Sequence, residues 1–155
     1  MDIALYQPEI PPNTGNIIRL CANTHSTLHL IGPMSFEITE KSCRRAGLDY
    51  KEMACIIQHD TWDDFFHQNT QPLVALSTKG TKHYHAHAYA PNSILLFGPE
   101  SRGLPAEILA NPVIQTVRIP MAADSRSLNL SNTCAIVLYE ALRQINFLHG
   151  KNLLS

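Results

Sequence analysis

The sequence predicts an α/β fold in which a parallel β-sheet carries helices on both faces. Short apolar, strand-like segments alternate with helix-like segments along the chain. This alternation is typical of parallel sheets, whose crossover helices cover both faces. No internal repeat, low-complexity tract or linker divides the 155 residues, and this length suits one domain with a sizeable core. We therefore expect a single domain over residues 1–155.

Three strands and three helices are predicted in the first half of the chain. The strands are residues 2–6, 27–31 and 53–57. The helices are residues 15–24, residues 39–46 and a segment that opens at Thr61. Asn13 or Thr14 is expected to cap the first helix, and Gly47 to end the second. Asp64 stands where a capping box usually has glutamate, three residues after the threonine cap.

Three further strands and two helices are predicted in the second half. The strands are residues 73–77, 93–97 and 115–119, and Pro105 starts a short helix as a favoured first-turn residue. The longest helix, residues 128–148, carries two apolar stripes, so we expect it to be buried on two sides. One side faces the sheet, and the other faces either the rest of a monomer or a partner subunit. The stripes are Cys134, Val137, Leu138, Ala141, Ile145 and Leu148, and Ile136, Tyr139 and Phe147.

The composition fits a folded protein but not an obviously basic one. Hydrophobic residues make up 45% of the chain, charged residues 16%, and the net charge is −1. This charge is a poor match to the basic surface of a nucleic-acid binder, although a local patch is enough to neutralise a few phosphates. The densest basic cluster is Lys41, Arg44 and Arg45. It is either an RNA contact or the solvated end of a helix.

The sequence gives no sign of a membrane segment, a secretion signal or a metal site. No apolar run approaches the roughly 18 residues that span a membrane, and no basic segment precedes an apolar one at the N-terminus. We therefore expect a cytoplasmic protein. The four cysteines form no Cys-x-x-Cys pair, which favours reduced thiols over zinc ligands. His83, His85 and His87 would share one face of a strand, but no acid or cysteine completes a metal site, so a solvated loop is expected.

Three polar motifs lie at predicted strand-to-helix junctions. They are residues 13–19 (NTGNIIR), 95–104 (LLFGPESRGL) and 125–132 (SRSLNLSN). A Rossmann site would instead need Gly-x-Gly-x-x-Gly after the first strand, and the first loop here has one glycine, Gly15. The glycines that accompany polar groups come late, at Gly98 and Gly103. A glycine after an apolar strand lets a ligand approach the backbone closely, although an ordinary turn uses one too.

In this order and spacing the three motifs resemble the signature of the SPOUT, or α/β-knot, RNA methyltransferases. The resemblance is greatest to the small branch that 2′-O-methylates the wobble cytidine or uridine of tRNA. Residues 8–12 (PEIPP) and 44–50 (RRAGLDY) are also similar to that branch, so the resemblance covers nearly the whole chain. It implies a C-terminal trefoil knot, an obligate homodimer, S-adenosylmethionine as cofactor and the anticodon stem-loop of tRNA as substrate. It implies no metal.

The resemblance also implies which residues form the site. The implied cofactor-binding residues are Leu76, Thr78, Gly98, Ile119, Met121, Ser127 and Leu128. The implied catalytic residues are Asn13, Arg19, Glu100, Ser127 and Asn129. RNA contacts are expected from Arg19, Arg44 and Arg45. Free amides at residues 14–16 would hold a phosphate beside Arg19 if the first helix begins there; on its own, Arg19 would equally suit a solvated helix face.

Methyl transfer to a ribose 2′-hydroxyl requires loss of the hydroxyl proton, in-line approach to the methyl group and exclusion of water. An arginine pKa above about 12 argues against Arg19 as a simple general base. We expect Arg19 to clamp the phosphate and hydroxyl, with the phosphate or a perturbed guanidinium assisting proton removal. Glu100 would position the hydroxyl or Arg19, and Asn132 is an alternative cap for the last helix. Two other functions stay open: a catalytically inactive knot-fold RNA-binding protein and a flavodoxin-like small-molecule binder.

Overall fold

The structure is a computed structural model that describes residues 1–45, 47, 49–53, 55–149 and 151–152. In these residues seven strands form one fully parallel sheet in the order β3-β2-β1-β6-β4-β7-β5. The strands are β1 Asp2–Tyr6, β2 Leu28–Ile31, β3 Ile56–His59, β4 Leu73–Leu76, β5 Lys82–His83, β6 Ile94–Phe97 and β7 Ile114–Arg118. A short antiparallel hairpin, β8 Leu148–His149 and β9 Lys151–Asn152, follows the last helix.

Six α-helices connect or follow these strands in the described residues. They are α1 Pro11–Thr24, α2 Glu40–Arg45, α3 Tyr50–Met53, α4 Trp62–Gln68, α5 Ala106–Leu109 and α6 Leu130–Gln144. A 3₁₀ turn, Tyr84–Ala86, follows β5. Within the described ranges, no helix is long and apolar enough to span a membrane.

Helices cover both faces of the sheet, as the sequence predicts. Alternate residues of a strand point to opposite faces, so Ile3 and Leu5 of β1 belong to one core and Ala4 to the other. The first core includes the buried stripe of α6, at Val137 and Leu138, together with residues of α1. The second core includes residues of α4 and α5. The predicted α/β class and parallel sheet are therefore confirmed.

The predicted start of the first helix is wrong. Helix α1 begins at Pro11, after Ile10 in the cap position, and no side chain caps it. The amides of Asn13 and Thr14 both bond to the Ile10 carbonyl. The next two residues lie in the second turn, where amides bond to carbonyls four residues back. The amides of residues 14–16 are therefore not free for a phosphate, and the Asn13 side chain is not needed as a cap.

The other predicted boundaries are partly right. Thr61 and Asp64 form the expected reciprocal capping box at the start of α4. Met53 belongs to α3, so the third strand begins at Ile56 and not at residue 53. The last helix is shorter than predicted: it begins at Leu130 and ends at Gln144. The histidine-rich segment contains the edge strand β5 and the 3₁₀ turn, which the sequence did not predict.

Candidate active site

A cavity of about 580 Å³ opens at the carboxyl ends of β4, β6 and β7. This is the edge where open parallel sheets bind ligands, close to the point between β1 and β6 where the chain reverses its direction of winding. The volume lies within the range of small-molecule and cofactor pockets. All seven residues predicted to bind a cofactor line this cavity: Leu76, Thr78, Gly98, Ile119, Met121, Ser127 and Leu128.

Three peptide segments supply those lining residues. The end of β4 supplies Leu76 and Thr78, and the turn after β6 supplies Gly98. The segment between β7 and α6 supplies the remainder, from Ile119 to Leu128. The lining mixes apolar side chains with hydroxyls and loop backbone, which suits a ligand that has an apolar body and a few polar groups.

Gly98 is required by the protein's own backbone. A Cβ atom on this residue would lie 2.3 Å from the amide nitrogen of Leu104 and 2.4 Å from the carbonyl carbon of Gly103. Gly103 itself has a φ of +70°, a conformation that glycine adopts without strain. The turn of residues 98–104 therefore folds back tightly on its first residue. The sequence prediction that Gly98 makes room for a ligand gave a different reason for this glycine.

The Glu100 carboxylate joins the cavity to the start of α1. Its Oε2 accepts a hydrogen bond from the Glu9 amide at 2.9 Å, and its Oε1 accepts from the Ile10 amide at 3.3 Å. Oε1 also accepts from Nδ2 of Asn13 at 3.0 Å. Both oxygens of Glu100 are thus occupied by the chain entering α1. Glu100 thus holds the two residues that precede α1 and the Asn13 side chain, and not the amides of the first helical turn.

A second carboxylate makes the converse connection. Glu9 accepts hydrogen bonds from the Ser101 amide at 2.9 Å and from the Ser101 hydroxyl at 2.8 Å. Its Oε1 also accepts from the Arg102 guanidinium at 2.9 Å. These partners, the Ser101 hydroxyl first, lower the pKa of Glu9. We call the two reciprocal sets of bonds, from Glu9 to residues 101–102 and from Glu100 to residues 9–13, the crossed carboxylate clamp.

Asn13 extends the clamp to the last helix. Its Oδ1 accepts from Nδ2 of Asn129 at 2.9 Å. Oδ1 of Asn129 in turn accepts from the amides of Ser131 and Asn132, so Asn129 is the cap of α6 and Asn132 is not. Glu100, Asn13 and Asn129 therefore form a continuous chain of side chains along one wall of the cavity. Ser127 lines the same cavity.

Arg19, the fifth predicted catalytic residue, does not line this cavity. Its Nε donates to Glu52 at 3.1 Å, its Nη2 donates to the Gly47 carbonyl at 3.0 Å, and its side chain is 50% exposed. Arg44 also lies outside the cavity, in an ion pair with Glu40 on the surface of α2. The Arg45 side chain lies outside the described part of the structure. The RNA-contact assignments of these arginines stay predictions.

The sequence reading missed several residues that line or shape the cavity. Lys79 and Arg126 line it, and Glu9 and Arg102 hold its loop. Glu9 belongs to a quoted motif, but nothing near it in the sequence indicates a partner more than ninety residues away. Among the described residues no group of three histidines, cysteines or acids is placed to hold a metal ion. The four cysteines are free thiols.

The fold and the cavity define an α/β protein whose candidate ligand site lies beyond the carboxyl ends of a parallel sheet. The model of the SpoU rRNA Methylase family matches residues 1–139, and the chain belongs to this family. It is 54% identical over 149 residues to the tRNA (cytidine(34)-2′-O)-methyltransferase of Escherichia coli (strain K12), with 95% of each chain covered.

Solved structures agree in fold. One, reported as "Structural insights into the 2-OH methylation of C/U34 on tRNA", superposes with a TM-score of 0.86 at 39% identity and covers 94% of this chain and 95% of that one. The AdoMet-bound rRNA methyltransferase of Sinorhizobium meliloti superposes with a TM-score of 0.77 at 28% identity. In that comparison 92% of this chain and 56% of the other are covered.

Proposed function

We propose that this protein is an S-adenosylmethionine-dependent tRNA ribose 2′-O-methyltransferase that acts on the wobble cytidine or uridine of the anticodon loop. The observation that carries the proposal is the 54% identity to a tRNA (cytidine(34)-2′-O)-methyltransferase over 95% of both chains. The cavity supports it, because the residues predicted to bind the cofactor come from separate segments of the sequence and line one space.

The cavity fits S-adenosylmethionine in size and chemistry. Leu76, Ile119 and Met121 offer an apolar surface to the adenine, while Thr78 and Ser127 offer hydroxyls to the ribose and the amino-acid part. When bound, the cofactor supplies a methyl group on a positively charged sulfur. The chain's own residues hold the acceptor ribose in line with that methyl group and exclude water.

In this proposal four side chains that line the cavity position the site. Asn13 and Glu100 fix the cavity wall against α1, while Ser127 and Asn129 orient the ribose and the cofactor. Arg19 holds the phosphate and the 2′-hydroxyl with its planar fork, and assists removal of the proton.

We infer that the enzyme is a homodimer, with Arg19 of a second copy completing the site. Two observations support this. Arg19 lies outside the cavity of its own protomer, and the outer face of α6 exposes Ile136 and Tyr139, which are 39% and 48% accessible. An apolar face of this kind on a short enzyme favours a protein partner. We further propose a C-terminal trefoil knot within a single SPOUT domain over residues 1–155, action in the cytoplasm, and a reaction that uses neither a metal nor a membrane.

The proposal is tested by methylating tRNA from a strain that lacks this gene. The purified protein is mixed with labelled S-adenosylmethionine and total tRNA, and the labelled nucleotide is mapped by nuclease digestion and mass spectrometry. Label on the 2′-oxygen of nucleotide 34 is expected. Label at another position would reject the wobble assignment. RNA binding without any transfer would favour the inactive RNA-binding alternative.

A further inference from the structure

The positive side chains of this protein fall into two groups. In the described residues four arginines are engaged in ion pairs: Arg19, Arg44, Arg102 and Arg143. The other lysines and arginines whose side chains the structure describes form no ion pair or side-chain hydrogen bond; they are Lys41, Lys79, Lys82, Arg118 and Arg126. Arg118 has a buried Nε with no partner. Unpaired cations are the ones available to neutralise a ligand's negative charge.

Four of these five cations, all except Lys41, lie on segments that border the cofactor cavity or a neighbouring one. Lys79 and Arg126 line the cavity itself. Lys79 and Lys82 also line a second cavity of about 570 Å³, which lies between the segment of residues 79–82 and α5. Arg118 is on β7, where it is in register with His83 of the edge strand β5. We call this set the unpaired-cation edge.

Acidic residues are scarce at this edge. Residues 65–99 contain no aspartate or glutamate. The second cavity has no acidic residue in its lining, and the cofactor cavity has only Glu100, whose oxygens accept bonds from the chain entering α1. Thr81, Gln115 and Thr116 add neutral hydrogen-bonding groups to the second cavity. The net charge of −1 therefore conceals a local positive surface.

We propose that the unpaired-cation edge and the second cavity bind the sugar-phosphate backbone of the RNA beside the nucleotide being methylated. A ligand backbone that carries regularly spaced negative charges fits a group of unpaired cations, and hydroxyls and amides suit its phosphate and ribose oxygens. Lys79 borders both cavities, so a strand bound there continues directly into the cofactor site. This inference rests on the proposed function and names the surface that holds its substrate.

The test compares Lys82, which lines the second cavity, with Lys41, which is on α2. Lys82→Ala and Lys82→Glu alter the second cavity without changing a residue that lines the cofactor cavity. Lys41→Ala removes the same charge from the predicted basic cluster on α2. Each protein is titrated with unmodified tRNA at several salt concentrations, and its affinity for S-adenosylmethionine is measured by calorimetry. Inorganic phosphate is titrated separately, to compare a free anion with the RNA.

For Lys82→Ala we expect several-fold weaker tRNA binding, a larger loss in Lys82→Glu and unchanged cofactor affinity. The slope of log affinity against log salt should fall by about 0.7–0.9, the value of one lost phosphate contact. Millimolar phosphate should not displace the tRNA. Lys41→Ala reports separately on the cluster that is also predicted to contact RNA, and a smaller loss there than in Lys82→Ala supports the second cavity as the main backbone contact. An unchanged slope in Lys82→Glu or full displacement by phosphate would overturn the inference. Failure of the wild-type protein to methylate any tRNA would instead reject the proposed function.

Discussion

Removal of the Glu100 carboxylate should act mainly by breaking the hydrogen bonds that hold the cavity wall, and only indirectly on the chemical step. The carboxylate accepts from the amides of Glu9 and Ile10 and from the Asn13 side chain. Glu100→Ala leaves all three donors without this acceptor. Glu100→Gln keeps one oxygen but turns an amide NH₂ toward a second donor. Asn13 cannot rotate its amide to compensate, because its oxygen already accepts from Asn129.

The size of the effect follows from the burial of the donors. A buried donor left without an acceptor costs about 1–3 kcal/mol. The Ile10 amide is exposed and can bind water, whereas the bonds from Glu9 and Asn13 are partly buried. Two donors in the lower part of that range give a loss of about 2–4 kcal/mol for Glu100→Ala. Glu100→Gln should lose about half as much, since one oxygen still accepts.

Urea unfolding, calorimetry of S-adenosylmethionine binding and single-turnover methylation on the same preparations test this reasoning. Glu107→Gln on α5 is the control, because Glu107 is exposed and forms no hydrogen bond or ion pair in the described structure. Stability, cofactor affinity and turnover should decline together in the Glu100 variants. Wild-type stability in Glu100→Ala would refute the argument. Wild-type stability and cofactor affinity in Glu100→Gln with no turnover would place Glu100 at the reacting atoms.

Three further predictions address other parts of the molecule. Arg19→Ala should slow single-turnover methylation more than 100-fold, which corresponds to an activation barrier raised by roughly 3 kcal/mol, and should leave cofactor affinity unchanged. Arg19→Lys should restore little of this turnover, because an ammonium lacks the bidentate fork. Near-normal turnover in either variant would show that Arg19 does not hold the phosphate and hydroxyl in this way. Gly98→Ala should cost about 1–3 kcal/mol in urea unfolding because its Cβ meets the 103–104 backbone; undiminished stability would contradict this. Burial lowers the pKa of His29 and of His59. The unfolded chain therefore binds protons first as the pH falls, and the free energy of unfolding should decrease below about pH 6.5. Replacing both histidines by leucine should flatten that pH dependence, and an unchanged dependence would show that these histidines are not its cause.

The parallel sheet was predictable because its central strands, β1, β2, β4 and β6, are largely buried on both faces and therefore form mainly apolar runs. Residues 94–97 illustrate this, since all four are buried and the strand matches the prediction closely. The edge strand β5 was not predictable in the same way. It has two residues, Lys82 and His83, and both are exposed. A strand without a buried face has no apolar pattern, so only its pairing with β7 reveals it.

The start of α1 was predicted wrongly because the rule for cap residues is local, whereas the contact that holds this helix start comes from far along the chain. Asn13 is a favourable cap residue, and the sequence rule places the helix after it. Two prolines at residues 11 and 12 instead occupy the first turn, where their missing amides cost nothing. The two amides just before the helix, of Glu9 and Ile10, find their acceptor in Glu100, about ninety residues along the chain. No local pattern indicates such a partner.

The cavity-lining residues were predictable as a set, but the hydrogen bonds between them were not, because the bonded residues lie far apart in the sequence. Motif similarity places Asn13, Glu100 and Asn129 in one site without saying which atoms meet. The structure supplies a chain of bonds in which each of these side chains is held by the next. It also adds Glu9 and Arg102, which the motif reading left without a role.

The position of Arg19 on α1 connects the clamp to the proposed dimer. Six residues separate it from Asn13, which is a rise of about 9 Å and a rotation of about 600° along an α-helix. The two side chains therefore leave the helix about 120° apart, so that Asn13 faces the cavity while Arg19 faces elsewhere. A rigid helix fixed at its first turn by Glu100 carries any error in that contact to Arg19.

Clamp variants should consequently impair the site to which Arg19 contributes as well as the cavity they line, and mixed dimers of Glu100→Ala and Arg19→Ala subunits separate the two effects. If Arg19 serves the other subunit's cavity, such a mixed dimer has one cavity that lacks both side chains and one that keeps both. The second cavity receives its Arg19 from the Glu100→Ala subunit, so the mixed dimer should retain up to half of the wild-type turnover, and the shortfall from half measures how far the lost Glu100 contact disturbs Arg19. If Arg19 served its own cavity, each site would carry one defect and turnover would be nearly absent.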